Sequence, residues 1–272
     1  MDRATETDIP RWAVGVTSVA AVLFAARLPA AVSETAAPVQ QDVIIMYTDA
    51  TRAKWRQAGI EARAAQAVSL ANNAYANSGV NIDLVLLRTA PSPVQEATAG
   101  MEATLDAFQS NDSVNSVRDT YGADFMVLLS ENADNCGRSH LWSNGDVAHA
   151  VINSTCAIDS MTFVHEVGHL QGLNHERDAA ETSPGYNYGY RVCATDGFRD
   201  LMSTDCSNGT NPPRILYFST PSHTYNGYPL GIAYEVDPTH AADAVRALNE
   251  SAISAAAYRS DRRWDTPAAP LQ

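Results

Sequence analysis

Apolar positions fall into short continuous runs separated by stretches of helical spacing. "DVIIMYTDA" is β-branched and apolar, which predicts a buried strand over 42–50. In the following "RAKWRQAGIEARAAQAVSLANNAYANSG", Ile60, Ala64, Ala67 and Leu70 recur with helical period, and Gly79 supplies the stop. "VNIDLVLLRT" predicts a second strand over 80–89. Two shorter helices are expected around 102–108 and 113–121, and "DFMVLLS" predicts a third strand over 124–130. "CGRSHLW" and "DVAHAVIN" read as extended segments joined at the turn signal "SNGD". Strands alternating with helices imply an α/β fold whose sheet has parallel members covered by helices. No internal repeat or long linker interrupts 42–262, so a single domain is expected there.

Both ends stand apart. "WAVGVTSVAAVLFAA" (12–26) is an uncharged, mostly apolar run, too short to span a bilayer comfortably and fitting a signal-peptide core. Small residues follow in "LPAAVSETAA", giving cleavage after Ala31 or Ser33. The leading "MDRATETDIPR" carries three acids against two arginines, where an export signal has a basic start. An uncleaved anchor is the alternative. The expectation is export of residues 1–33 as leader, a secreted or periplasmic location without stable membrane association afterwards, and a disordered tail over 263–272.

With 45% hydrophobic and 18% charged residues, the 272-residue chain has an ordinary globular composition. A formal charge of −13 argues against nucleic acid and anionic membrane surfaces as partners. The four cysteines allow three pairings. In an exported chain an even number favours two disulfides, and Cys136–Cys156 with Cys193–Cys206 each close a local loop. The absence of CxxC weighs against a cysteine metal site.

Candidate chemistry concentrates in "HEVGHLQGLNHERD", residues 165–178. HExxH alone arises by chance about once in a hundred chains of this composition. Extended to HExxHxxGxxH, the expectation falls to the order of one in 10⁵. Phe163, Val164, Val167 and Leu170 make an apolar stripe, so the motif sits on a helix with that stripe toward the core. His165 and His169, four apart, share one helix face and can meet a single Zn²⁺. Gly172 accepts the left-handed conformation that ends a helix, which lets the chain turn and bring His175 back as third ligand. Three protein ligands leave a fourth position open, the arrangement of a catalytic zinc. Glu166 is placed to take a proton from water as general base. His140, His149, His223 and His240 are assigned to ordinary core or surface roles.

With those residues in view, the sequence resembles the metzincin zinc endopeptidases, which carry the extended motif and a downstream methionine turn. "NCGRSHLW", "AVINSTCA", "GYNYGY", "FRDLMS", "RILYFSTP" and "YNGYPLG" resemble bacterial reprolysin-like and peptidyl-Asp metallopeptidases. The resemblance covers roughly 42–259. It implies a mixed twisted sheet with long helices over 42–172, a small irregular C-terminal subdomain over 173–262, and the zinc cleft between them. It also implies Met202 as the residue of the methionine turn, against the alternative of an ordinary core methionine, and "CGRSHLWS" as the edge that pairs with extended substrate. Glu176 stands after the third ligand where reprolysins place Asp. Thr204 stands where astacins and serralysins carry a tyrosine. In metzincins the segment after the turn walls the pocket for the side chain following the cut. Here it is "NGTNPPRILYFSTP", whose one cation, Arg214, could hold a substrate carboxylate. The alternative is an apolar pocket of Ile215, Leu216 or Tyr217 with Arg214 in solvent.

The expected function is a monomeric, exported endopeptidase with one catalytic Zn²⁺ and a protein or peptide substrate. Nothing in the sequence supports a bound calcium. The alternatives are a catalytically silent, zinc-stabilised binding module, which would be free to lose Glu166, and a zinc hydrolase acting on something other than peptide.

Overall fold

The computed structural model describes residues 36–140, 145–177 and 185–260. The apolar run 12–26 and the tail 263–272 lie outside the described residues. Five strands form the main sheet: β1 Val39–Tyr47, β2 Ile82–Pro91, β3 Phe125–Ser130, β4 Gly137–Ser139 and β5 His149–Asn153, in the order β2-β1-β3-β5-β4. The first four positions in that order run parallel, and β4 closes one edge antiparallel to β5. The parallel members are those expected from the alternation of strand and helix patterns, and the antiparallel edge makes the mixed sheet that the metzincin resemblance implied.

Helices cover both faces, which is why β1 and β3 read as unbroken apolar runs rather than alternating ones. Val43, Ile45 and Tyr47 point to one face. There they meet α1 (Asp49–Ser78), α5 (Thr162–Leu170) and α6 (Ala244–Ala255). Ile44 and Met46 point to the other, against α2 (Met101–Gln109) and α3 (Asp112–Tyr121). A fourth helix in chain order, α4 (Cys156–Asp159), is a single turn leading into α5.

The first strand lies three residues N-terminal to its expected span. Gln40 and Gln41 extend it by pairing with β2. Gln41 is fully buried because its amide donates to Ala252 O (3.1 Å) and its carbonyl accepts from Gln171 (2.6 Å). At the other end, Thr48 caps α1 by accepting from Thr51 N, so 48–50 open the helix instead of closing the strand. α1 runs 30 residues, kinked at Arg56, and ends at Gly79 with φ +81°.

His149 is a core histidine. It is fully buried, edge-on to Phe108, and neither ring nitrogen has a partner among the described residues. Burial, with Arg118 nearby, holds its pKa down at about 3, so the ring is neutral.

Both expected disulfides form, Cys136–Cys156 and Cys193–Cys206, with Cα separations of 5.4 and 5.8 Å. After α5 the chain is mostly irregular. Its strands there are two or three residues long, beginning with β6 (Asn174–Glu176). The described residues from Ala37 to Ser260 belong to one compact unit. Among the described residues no helix is long and apolar enough to cross a membrane.

Candidate metal centre

Helix α5 is buried along its whole length, from Thr162 to Leu170. Phe163, Val164, Val167 and Leu170 anchor it in the core, as their spacing predicts. That anchoring leaves His165, Glu166 and His169 facing a cleft of about 750 Å³. Gly172 then adopts φ +95°, and Leu173 N donates back to Gly168 O at 2.9 Å. The left-handed residue turns the chain into β6, which carries His175 to the helix pair.

The three Nε2 atoms converge. They stand 3.0 Å (His165–His169), 3.1 Å (His169–His175) and 3.2 Å (His165–His175) apart. Nδ1 of His165 lies 2.8 Å from Leu201 O, and Nδ1 of His169 lies 2.8 Å from Leu173 O. A carbonyl accepts only, so each of these Nδ1 atoms carries the proton and each Nε2 presents a lone pair. Burial holds all three rings below the ordinary histidine pKa, His169 at about 3, helped by neighbouring histidines at His165 and His169 and by Arg214 at His175. The neutral imidazoles of His165 and His169 aim lone pairs at one point and repel one another unless a cation sits between them. Tetrahedral ligands at about 2.0–2.1 Å from one ion stand about 3.3 Å apart, close to the observed separations. The donor set therefore fits a first-row divalent metal with an open fourth position. Among the described residues it is the one cluster of three or more potential metal-binding side chains.

Glu166 is 4% exposed on the same helix. Its Oε2 accepts a hydrogen bond from Ser139 Oγ at 2.6 Å. Burial pushes its pKa up to about 7, against the opposing effects of that bond and of Arg138 and Arg214. A carboxyl with a pKa near neutrality suits proton transfer.

Met202 lies directly beneath. It is fully buried, and a Cβ on Gly168 would stand 2.5 Å from its sulfur. The glycine between the two motif histidines thus lets the thioether pack against the helix, a pairing 34 residues apart that the sequence did not announce. Glu176 ties this turn to the third histidine's strand. Its carboxylate accepts from Thr204 N (2.8 Å) and Thr204 Oγ1 (2.5 Å) and pairs with Arg191 at 2.7 Å, both side chains being buried. Thr204 is therefore a structural partner of Glu176. Removing one member of a buried pair leaves the other uncompensated. We expect Glu176→Ala to lower stability by about 3–5 kcal/mol in urea titration, with chelator present so that metal affinity does not contribute. A loss below about 1 kcal/mol would mean that the pair is solvated like a surface one.

The cleft brings together residues from both sides of Gly172. His165, Glu166, His169 and His175 share it with β4, Thr204 and Arg214. Arg214 donates to Ser160 O (3.1 Å) and Ser203 O (2.8 Å). Its buried Nε has no partner, and no carboxylate among the described residues pairs with it. Burial, with Arg199 nearby, holds the guanidinium below its usual pKa. The expected edge segment is also where the sequence put it, although its residues 141–143 lie outside the described residues. His140, read as ordinary, lines the cleft as well. The sequence reading missed Gly137, Ser139 and Gly168, whose roles depend on contacts between distant segments.

A family model described as "Reprolysin_5: Metallo-peptidase family M12" matches residues 38–219. Among curated proteins, a peptidyl-Asp metalloendopeptidase of Stenotrophomonas maltophilia strain R551-3 is 32% identical over 86% of this chain and 56% of its own length. One from Xanthomonas campestris pv. campestris is 32% identical over 86% and 55%. One from Pseudomonas fragi is 26% identical over 69% of this chain and 99% of its own. The chain thus spans about half the length of the first two. Among solved structures, a "Structure of a chaperone-substrate complex" superposes with a TM-score of 0.66 over 83% of this chain and 40% of that one. At 18% identity this shows a shared fold.

Proposed function

The chain belongs to metallopeptidase family M12, and from that premise we propose that it is an exported, zinc-dependent endopeptidase that cuts before acidic residues. The observation that carries the reading is the convergence of three Nε2 atoms beside a buried carboxylate, in a cleft edged by β4. His165, His169 and His175 would hold the ion. When bound, zinc lowers the pKa of a coordinated water and polarises the scissile carbonyl.

The remaining chemistry belongs to the chain. β4 offers an edge to which an extended peptide can add as a further strand, which orients the scissile bond along the cleft. Glu166 accepts the proton of the attacking water as its oxygen bonds to the carbonyl carbon. The same carboxyl then gives that proton to the amide nitrogen as the C–N bond breaks. Leu201 O and Leu173 O keep His165 and His169 in the tautomer that ligation requires.

Arg214 is the proposed specificity residue. Asp200, Asp205 and Glu166 act on the half-buried Arg214 through space, but its hydrogen-bond partners are carbonyls only and its Nε has none, so a substrate carboxylate would supply a direct, charge-assisted ion pair. The names of the relatives, peptidyl-Asp metalloendopeptidases, agree with an acidic preference. Export is supported by the two disulfides and the apolar run 12–26.

A peptide library incubated with the zinc-loaded protein and read by mass spectrometry tests both levels. The expected result is cleavage before Asp and Glu, abolished by chelation. Arg214→Ala should lower kcat/KM for those sites on the order of 10²-fold. Arg214→Lys, which keeps the charge and loses the fork, should fall between. Cleavage mainly before apolar residues, unchanged in Arg214→Ala, would overturn the specificity. No metal-dependent cleavage at all would leave the silent binding module.

A further inference from the structure

Strand β4 touches the motif helix with one face. Gly137 and Ser139, two apart, point the same way, toward α5. At Gly137 a Cβ would collide with the carboxylate of Glu166 and stand 2.5 Å from the methyl of Thr162. Any side chain there would displace Glu166 and Thr162 or push the strand off the helix. Because Gly137 allows the approach, Ser139 Oγ reaches Glu166 Oε2 at 2.6 Å. The strand is itself held in place. It pairs with β5 through Gly137↔Ile152 and Ser139↔Ala150, and the residue before it, Cys136, is bonded to Cys156 on α4, the helix that leads into α5.

A glutamate has three side-chain torsions, and burial alone does not select one arrangement of them. Here one oxygen is taken by a hydroxyl donor, and the backbone at Gly137 closes off space beside the carboxylate. We propose that Ser139 is a positioning residue: its hydroxyl holds Glu166 Oε2 from the edge strand while Oε1 lies against the backbone at Gly137, and the two contacts together fix the orientation of the carboxylate that takes the proton. This rests on the endopeptidase reading above. It makes the strand that would pair with substrate also the element that orients the general base.

The test compares parent, Ser139→Ala and Ser139→Thr, all zinc-loaded, on a peptide that the parent cleaves. Ser139→Ala keeps the backbone that pairs with β5, so KM should stay within about twofold while kcat falls on the order of 10-fold. Zinc stoichiometry and thermal midpoint should match the parent. Ser139→Thr, which restores a hydroxyl and suits a strand, should recover most of kcat. A second readout is independent of turnover. In crystals of the zinc-loaded Ser139→Ala protein, the Glu166 carboxylate should leave its parental position or occupy two. Parental kcat in Ser139→Ala, or an unmoved Glu166, would overturn the proposal. So would a loss of kcat that Ser139→Thr fails to recover. A parent that binds zinc and cleaves nothing would instead bring down the endopeptidase reading itself.

Discussion

Glu166→Gln is expected to reduce kcat by about 10²–10⁴-fold while one equivalent of zinc stays bound. The three histidines are untouched, and the amide oxygen of glutamine can still accept from Ser139, so the site keeps its shape. What disappears is the ability to take a proton from water and return it to the leaving nitrogen. In the parent, burial raises this carboxyl to about pKa 7, a strength useful as both base and acid near neutral pH. Peptide turnover measured alongside zinc content by atomic absorption separates the two properties. A variant that keeps more than about 1% of parental kcat would mean that another group moves the proton.

His175→Ala should lose both metal and activity. The other two rings are held by one rigid helix, but they make only half of a tetrahedral shell. The third comes from β6, and its Nε2 lies 3.1–3.2 Å from the other two because Gly172 turns the chain back. Without it, zinc binds through two histidines and solvent. Zinc content after dialysis against a competing chelator should fall well below one equivalent. Full stoichiometry in the variant would refute a three-histidine site and require another ligand beside HExxH.

Both expectations follow from the sequence, because the motif is local. Helical spacing places His165 and His169 on one face whatever surrounds them, and a glycine at 172 is a turn signal in any context. The disulfide pairings were legible because each closes a short loop, and the parallel sheet because strands alternate with helices. Arg214 was legible only as the single cation of its segment. That its Nε is buried without a partner is a fact of packing.

Strand boundaries fared less well for a physical reason. Gln41 is polar, so its pattern argues against a strand interior. Its burial is compensated by Ala252 and Gln171, more than 100 residues away in the chain. The same holds around the site. Gly168 is one more variable position in HExxH until Met202 arrives beneath it. Glu176 is an odd substitution until Thr204 and Arg191 close on it.

The sequence by itself determined which side chains can hold a metal, which can move a proton and how the helix must end, because those properties depend on residue type and on spacing within a few turns. Only the tertiary structure decided what orients them. Ser139 meets Glu166 across 27 residues through a close approach that Gly137 permits, and such contacts depend on how the sheet edge docks on the helix. Docking is set by the burial of both apolar faces of the sheet at once, a non-local condition that no window of the sequence contains.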